Sequence, residues 1–463
     1  MQYFRPTGDF FVGDCMPFYH DSVFHLYYLL DESHHQSKGG LGAHQWAHAT
    51  TRDLVHWEHH PLALPITRDW EGSICTGSVL HHEGTYYAFY ATRMPDWTQH
   101  LCVATSADGI RFEKSPANPF ASPAAGYAPQ HYRDPCAFRD EGTGLFHLLV
   151  TASLETYPLA GRGGCLAHLV SRDLEAWELT DLFLIPGHLG VPECPDYFEW
   201  NGCHYLLFSI DGVAHYRMSR EPLGPWLRPR VDTFDGPMAR VLKTAAFGGG
   251  RRIGVAFLPS LQDGRDDGAW LYAGNAVFRE LIQHGDGTLG ERFPVEMIPP
   301  SGAALDLPFA ALTPGARREA GSIRVSAIEG LGVAAFDGLP RNARVTARIR
   351  PVQPTAAYGL CVRASGAFEN GYEVRLCPCE QRVDVRPLKG RRASGAAERG
   401  ITGVEGLDQA ITLDVVLKDD IVDVCVDGRR CLVNRYPELR GDRLFLFCQN
   451  GDVAFESLEV RAL

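Results

Sequence analysis

Residues 11–30, FVGDCMPFYHDSVFHLYYLL, place an acid, Asp14, ten residues ahead of an apolar strand running from Phe24 to Leu30 (FHLYYLL). The same kind of strand returns four times, at Tyr86 to Arg93 (YYAFYATR), Leu145 to Ala152 (LFHLLVTA), Cys203 to Ile210 (CHYLLFSI) and Arg252 to Pro259 (RIGVAFLP). The interval is roughly 50 to 60 residues, somewhat longer than an ordinary propeller-blade period and compatible with loop insertions. A second signal runs in phase with the first. After four of the strands comes a Ser or Thr, an acid two residues on, and then an aromatic: Thr51-Asp53-Trp57, Ser106-Asp108-Phe112, Ser171-Asp173-Trp177 and Ser219-Glu221-Trp226. The acid suits a turn and the aromatic suits the start of the next strand. Two interleaved repeats in register predict an all-β chain that begins with a five-bladed β-propeller.

The repeat ends near Glu296. The stretch Ile298 to Ala304 (IPPSGAA) reads as a linker. Beyond it the pattern changes to alternation, with Val345, Ala347 and Ile349 set between Thr346, Arg348 and Arg350, and Tyr372, Val374 and Leu376 between Glu373 and Arg375. Similar runs at Ile411 to Leu417, Ile421 to Val426, Arg443 to Cys448 and Val453 to Val460 predict half-buried antiparallel strands and a C-terminal β-sandwich. The expected domains are therefore 1–297 (propeller), 298–304 (linker) and 305–463 (sandwich). The basic, small-residue stretch Lys389 to Gly400 is expected to be a mobile loop.

Composition narrows the function. The 463 residues carry 44 basic and 56 acidic side chains, a formal charge of −12, and no basic run. Nucleic acid and anionic membranes are thereby disfavoured as partners, and a neutral oligosaccharide or furanoside is easier to accommodate. The opening residues show no basic region followed by an apolar stretch of signal-peptide length, so a cytoplasmic location is expected. The 13 cysteines are scattered and are expected to be reduced packing residues. The histidines, among them His34-His35, His44, His48, His59-His60 and His81-His82, lack the spacing of a metal motif. No metal and no cofactor is expected, and homo-oligomerisation is left open.

In a propeller the first strand of each blade lines the central channel. Counting back from the second strands puts Asp14, Asp134 and Glu193 at matching places in the first, third and fourth repeats, while Thr76-Gly77-Ser78 and Lys243-Thr244 stand there in the other two. Carboxylates gathered in this way resist ionising together, so at least one pKa should rise. A paired neutral and ionised carboxyl is the requirement for glycosidic cleavage.

At these residues the chain resembles glycoside hydrolase family 32, the invertase, levanase and inulinase group. Arg133-Asp134-Pro135 is similar to the family's RDP motif and Glu193-Cys194-Pro195-Asp196 to its EC motif. Further matches are Trp46 to His60, Thr76-Gly77-Ser78, Lys243-Thr244 and Gly274 to Leu281 (GNAVFREL). The resemblance implies Asp14 as nucleophile, Glu193 as general acid and base, and Asp134 as transition-state stabiliser with Arg133 beside it, while Cys194 would tune Glu193. It also implies retention through a covalent glycosyl-enzyme. Thr76, Gly77 and Ser78 are candidates for binding substrate. Trp46, Tyr132 and Trp270 are candidates for stacking on a sugar face, with packing between blades as the competing role.

The chain departs from the family pattern around Asp14. Asparagine is missing on both sides of the acid, in the stretch Phe11 to Pro17, and a glutamine expected near Leu29 is also absent. These changes imply a remodelled pocket. Three readings stand beside a β-fructofuranosidase: a fructosyltransferase or difructose-forming enzyme with the same triad, an inverting arabinanase or xylosidase, and a non-catalytic sugar-binding protein.

Overall fold

The computed structural model describes residues 2–390, 392–393 and 399–463. Among them the regular structure is strand throughout, relieved by a few one-turn 3-10 segments, so the chain is all-β. Among the described residues no helix is long and apolar enough to cross a membrane.

The first 292 residues form five antiparallel meanders. The first is β1 (Phe10–His20), β2 (Val23–Glu32), β3 (Gln45–Thr51) and β4 (Trp57–Leu64). The second is β5 (Ser73–His82), β6 (Thr85–Arg93), β7 (Gln99–Ser106) and β8 (Glu113–Lys114), and the third is β9 (Arg133–Arg139), β10 (Phe146–Ser153), β11 (Gly164–Ser171) and β12 (Glu178–Leu179). The fourth holds β13 (Glu193–Trp200), β14 (Cys203–Ile210) and β15 (Val213–Ser219), with isolated bridges from Met218 to Leu227 and from His215 to Thr233 in place of a fourth strand. The fifth is β16 (Arg240–Phe247), β17 (Arg251–Leu261), β18 (Trp270–Gln283) and β19 (Leu289–Arg292).

The Ser/Thr-x-acid signal forms the turn after the third strand of a meander. Thr51 Oγ1 accepts the N–H of Leu54 at 2.9 Å, and Asp53 Oδ1 accepts those of Val55 and His56. Ser106 and Asp108 repeat the arrangement with Gly109, Ile110 and Arg111, and Ser171 and Asp173 repeat it with Leu174, Glu175 and Ala176. The hydroxyl also accepts the N–H of the acid itself, so each pair caps four N–H groups. At Ser219 only the bond to the N–H of Glu221 is made.

The meanders stack face against face. Met16, Tyr27 and Leu29 of the first pack with Ile74, Ala88 and Tyr90 of the second. Phe89 and Leu101 meet Leu148 and Val150 of the third, and Phe138 and Leu149 meet Leu206 and Phe208 of the fourth. Tyr205 and Leu207 meet Leu242 and Leu258 of the fifth, which closes on the first where Ile253 and Val255 pack against Phe24 and Leu26. Five buried interfaces thus form a closed ring.

From residue 309 onward a second sheet system is built around Arg443–Ala462, a 20-residue strand that pairs with Ser322–Asp337, Ala343–Gln353 and Ala357–Ser365. Val345, Ala347 and Ile349 are fully buried in its core while Arg348 and Arg350 are exposed, as the alternation predicts. Ile421–Val426 departs from half-burial, since all six residues are buried. Val422, Val424 and Val426 face the core of their own sheets, whereas Ile421 and Cys425 pack with Tyr205, Leu207 and Leu258 of the meanders. This strand is covered on both sides because the two halves of the chain meet across it. Of the expected loop Lys389 to Gly400, Lys389 ends a strand and Arg392–Ala393 pairs with that strand, while residues 391 and 394–398 lie outside the described residues. All 13 cysteines are unpaired, and 12 of them are buried.

Candidate active site

The first strand of every meander carries an irregularity in its pairing with the second. The interruptions fall between Val12 and Cys15, Ile74 and Gly77, Arg133 and Cys136, Glu193 and Asp196, and Arg240 and Lys243. A bulge frees its extra residues from the ladder and re-aims their side chains. Asp134, Cys194 and Val241, each the first residue inside its bulge, have φ values of 53°, 53° and 57°.

Register corrects the expectation that the three acids occupy one matching position. Glu193 is aligned with Val12, Ile74, Arg133 and Arg240 at the edge of the bulge. Asp134 is aligned with Gly13, Cys75, Cys194 and Val241, one step further in. Asp14 is aligned with Thr76, Pro135, Pro195 and Leu242, one step beyond that. The acids therefore sit at three successive positions of a shared bulge. Counting from the second strand missed this because hairpin lengths differ by a residue.

The bulges bring Asp14, Asp134 and Glu193 to one cavity of about 380 Å³. Asp14 is 9% exposed and Asp134 3%, while the Glu193 side chain is 31% exposed. Asp14 Oδ2 accepts the Thr76 hydroxyl at 2.5 Å and the Cys194 thiol at 3.7 Å, and Oδ1 accepts the Tyr272 hydroxyl at 3.1 Å. Asp134 Oδ2 accepts the N–H of Cys194 at 3.2 Å and lies 3.4 Å from Arg133 Nε. Arg133 Nη2 donates to Glu193 Oε1 at 2.8 Å. One guanidinium thus ties two of the acids together.

Burial raises the Asp14 carboxyl to about 6. The Thr76 hydroxyl opposes that rise, the charges of Asp134 and Glu193 add to it, and Tyr272 opposes it.

Beneath the site, Lys243 Nζ donates to Gly77 O at 3.1 Å and to Pro195 O at 2.8 Å. Asp196 Oδ2 accepts the backbone N–H and hydroxyl of Thr244 at 2.9 and 2.6 Å. These contacts lock the bulged strands of the second, fourth and fifth meanders to each other.

Thr76, Arg133 and Cys194 line the cavity as the sequence suggests, and so does Leu29 in place of the missing amide. The other binding candidates are placed elsewhere. Trp46 is fully buried, with its indole N–H donating to Cys75 O at 2.9 Å, and Tyr132 is 1% exposed beside Tyr127. Both are packing residues, because a large aromatic on an inner strand fills the space between meanders. Gly77 is confined by Phe89 O, and Ser78 Oγ is held by the N–H of Ala137. Trp270 is 37% exposed and stacks under the Arg240 guanidinium at 5.3 Å, outside the cavity lining.

Sequence reasoning missed His35, Arg93, Trp97, Gln99, Gln130, Arg240 and Tyr272, which complete the walls. Most lie on loops or strand ends, where no periodicity marks them. Arg240 alone had a signal, since it stands three residues before Lys243 as Glu193 stands three before Asp196.

Asp31, His35 and His44 offer donor atoms within 4.8 Å of one another, a spacing a metal could use. His44 Nε2 lies 2.8 Å from Asp31 Oδ1 and 3.1 Å from His35 Nδ1, and Arg93 Nη1 donates to His35 Nε2 at 2.9 Å, so the three groups are within hydrogen-bonding reach of one another and tied to Arg93.

Comparison with known proteins places these residues in a wider group. Residues 10–222 match the glycosyl hydrolases family 32 N-terminal domain. The chain is 30% identical to sucrose-6-phosphate hydrolase of Escherichia coli over 202 residues, 41% of this chain and 39% of that protein. It is 27% identical to raffinose invertase of Escherichia coli over 213 residues, 42% and 40% of the two chains. The aligned stretches thus span about two fifths of these relatives. Among solved structures, fructan 1-exohydrolase IIa from Cichorium intybus superposes with a TM-score of 0.76 at 17% identity, over 100% of this chain and 96% of that one.

Proposed function

We propose that the chain, whose residues 10–222 match the glycosyl hydrolases family 32 N-terminal domain, is a retaining, exo-acting glycosidase of that family acting on β-fructofuranosides or a closely related furanoside. In this reading the five meanders are the blades of a five-bladed propeller spanning 1–297, residues 298–304 are a linker, and the sheets of 305–463 form a β-sandwich. The observation that carries the reading is the convergence of Asp14, Asp134 and Glu193 on one cavity through the shared bulges.

Each acid has a role that its surroundings fit. Asp14, ionised above about pH 6, attacks the anomeric carbon and forms the covalent glycosyl-enzyme. Tyr272 and Thr76 hold its two oxygens and fix the line of attack. Glu193, the most exposed of the three, protonates the leaving oxygen and then takes a proton from the incoming water. Its pairing with Arg133 must loosen as the sugar enters, so that it can hold the proton it donates. Asp134, 3.4 Å from Arg133, stabilises the positive charge that develops on the furanose ring.

The test is a chromatographic screen of purified protein on sucrose, kestose, inulin, levan and aryl furanosides, with Glu193→Gln alongside. Released fructose that falls roughly 10²- to 10⁴-fold in the variant is expected for a lost general acid. Aryl furanosides, whose leaving groups need little protonation, should lose less. Arabinoside or xyloside cleavage with every fructoside untouched would overturn the reading, and larger or cyclic products would move it to a transferase.

A further inference from the structure

The end of β2 and the loop that follows it carry Asp31, His35 and His44, whose spacing in the sequence matches no metal motif. The fold gathers them nonetheless. Among the described residues they are the one set of three His, Cys, Asp or Glu side chains whose donor atoms lie within 4.8 Å of one another. Asp31 is fully buried and His44 nearly so. The backbone fixes the arrangement, since the N–H of His44 donates to Ser73 Oγ at 3.0 Å and that of His35 to Asp31 Oδ1 at 2.9 Å. Gly42 lies against both rings. A Cβ there would stand 2.9 Å from His44 Nε2 and 3.0 Å from His35 Cε1, so glycine leaves the room in which the two imidazoles meet.

Protons alone do not satisfy this cluster. His44 Nε2 has to pair with both His35 Nδ1 and Asp31 Oδ1, and His35 Nε2 has to accept from Arg93. If His35 carries its hydrogen on Nδ1, the one lone pair of His44 Nε2 is used up and Asp31 Oδ1 is left facing it. If His44 carries its hydrogen on Nε2, His35 Nδ1 and Asp31 can share it, but the hydrogen of His35 then sits on Nε2 and points at the guanidinium. Either tautomer leaves one short contact unmet. Asp31 Oδ2 and His44 Nδ1, both buried, meet no hydrogen-bond partner among the described residues. A cation among the three side chains takes a lone pair from each and gives up only the contact of Arg93 with His35, while Arg93 Nη1 keeps Leu41 O at 2.8 Å. Tetrahedral zinc, with bonds of about 2.0 to 2.1 Å, sets its donors about 3.3 Å apart. The separations of 2.8 and 3.1 Å around His44 Nε2 open to that by a small shift of the side chains.

We propose that Asp31, His35 and His44 form a site for a first-row divalent cation of the zinc type. Two imidazoles and one carboxylate suit such an ion, whereas calcium and magnesium call for oxygen donors. A fourth ligand can come from the cavity, which His35 and His44 both line. The bound ion braces Tyr272, whose ring lies 5.2 Å from that of His44 and 5.3 Å from that of His35 and whose hydroxyl holds Asp14. That bearing on Asp14 rests on the glycosidase reading, but the site itself does not, and its test requires no turnover. The intact protein, stripped with a chelator, is titrated calorimetrically with zinc and separately loaded with cobalt(II), whose visible spectrum reports the coordination geometry. One equivalent of zinc per chain, a tetrahedral cobalt spectrum and a Tm raised by zinc are expected. Asp31→Asn and His44→Gln should each weaken binding by about a hundredfold or more and abolish the rise in Tm, while His56→Gln, at an exposed histidine, should change neither. Arg93→Met leaves all three ligands in place and removes a competing cation, so it should tighten zinc binding several-fold, which keeps the test open if a ligand variant fails to fold. Absence of stoichiometric binding by the wild type, unchanged affinity in Asp31→Asn and His44→Gln, or weaker binding in Arg93→Met overturns the proposal.

Discussion

Asp14, the proposed nucleophile, shows how little of a carboxyl group's character resides in the residue itself. Its carboxyl rises to about 6 through burial, held back by one hydrogen bond from Thr76 and another from Tyr272. A nucleophile must be ionised, so kcat/KM is expected to fall as pH drops through about 6. Thr76→Val keeps the side chain's shape and removes a bond to the charged form, so the acid limb should move to higher pH by about one unit. A pH profile of the variant that overlays the wild type would show that Thr76 does not govern this proton. The acids could be read from the sequence because RDP and ECPD surround two of them and a repeat places the third. The rest of the wall could not. Arg93, Gln99 and Tyr272 come from strand ends whose contacts depend on the closed ring, and Trp46 looked like a sugar platform only until its burial between meanders was known.

Among the elements, turns were more legible than bulges. The Ser/Thr-x-acid turns are local, each made of hydrogen bonds spanning three residues, and they stand where the spacing predicted. The bulges involve pairing with the next strand, which one-dimensional counting resolves only to the nearest residue. That single residue misaligned Asp14, Asp134 and Glu193. The bulged strands are tied beneath the cavity by Lys243, whose ammonium bridges the carbonyls of Gly77 and Pro195. Lys243→Met fills a similar volume but strands both carbonyls, and should lower unfolding free energy by about 2 to 4 kcal/mol in denaturant titrations. An unchanged midpoint would show that the bridge is dispensable. Gly77→Ala should be worse, since its Cβ would fall 1.9 Å from Phe89 O in the partner strand. Circular dichroism of that variant is expected to report a protein unfolded or sharply destabilised at ambient temperature.

At the scale of the molecule, the two halves are joined through a buried charge cluster that no local pattern announces. Arg279 donates to Asp235 at 2.6 Å and to both oxygens of Asp423, which also accepts the Tyr3 hydroxyl at 2.8 Å. Glu291, fully buried 4.0 Å from Arg279, has no hydrogen-bond partner for either oxygen among the described residues. Burial raises its carboxyl well above the usual range, and burial raises Asp423 to about 6. A carboxyl that holds its proton more tightly when folded favours the native state below the unfolded pKa, and that contribution is lost as pH climbs through the folded value. Thermal stability should therefore decline between about pH 4 and pH 6 on account of Asp423, and further above that on account of Glu291. Glu291→Gln removes the second contribution, so its Tm should exceed the wild type's at pH 8 and converge with it near pH 5. A constant offset across that range would refute the assignment. The bulge frame carries a different lesson. Because the ladder resumes on either side of each bulge, the residues inside it, Asp14, Thr76, Asp134, Cys194 and Val241 among them, are released from sheet pairing while their strands remain bound to it. Chemistry at the centre and folding at the rim are thereby written in separate residues, and a lineage can exchange what it recognises without relearning how to fold.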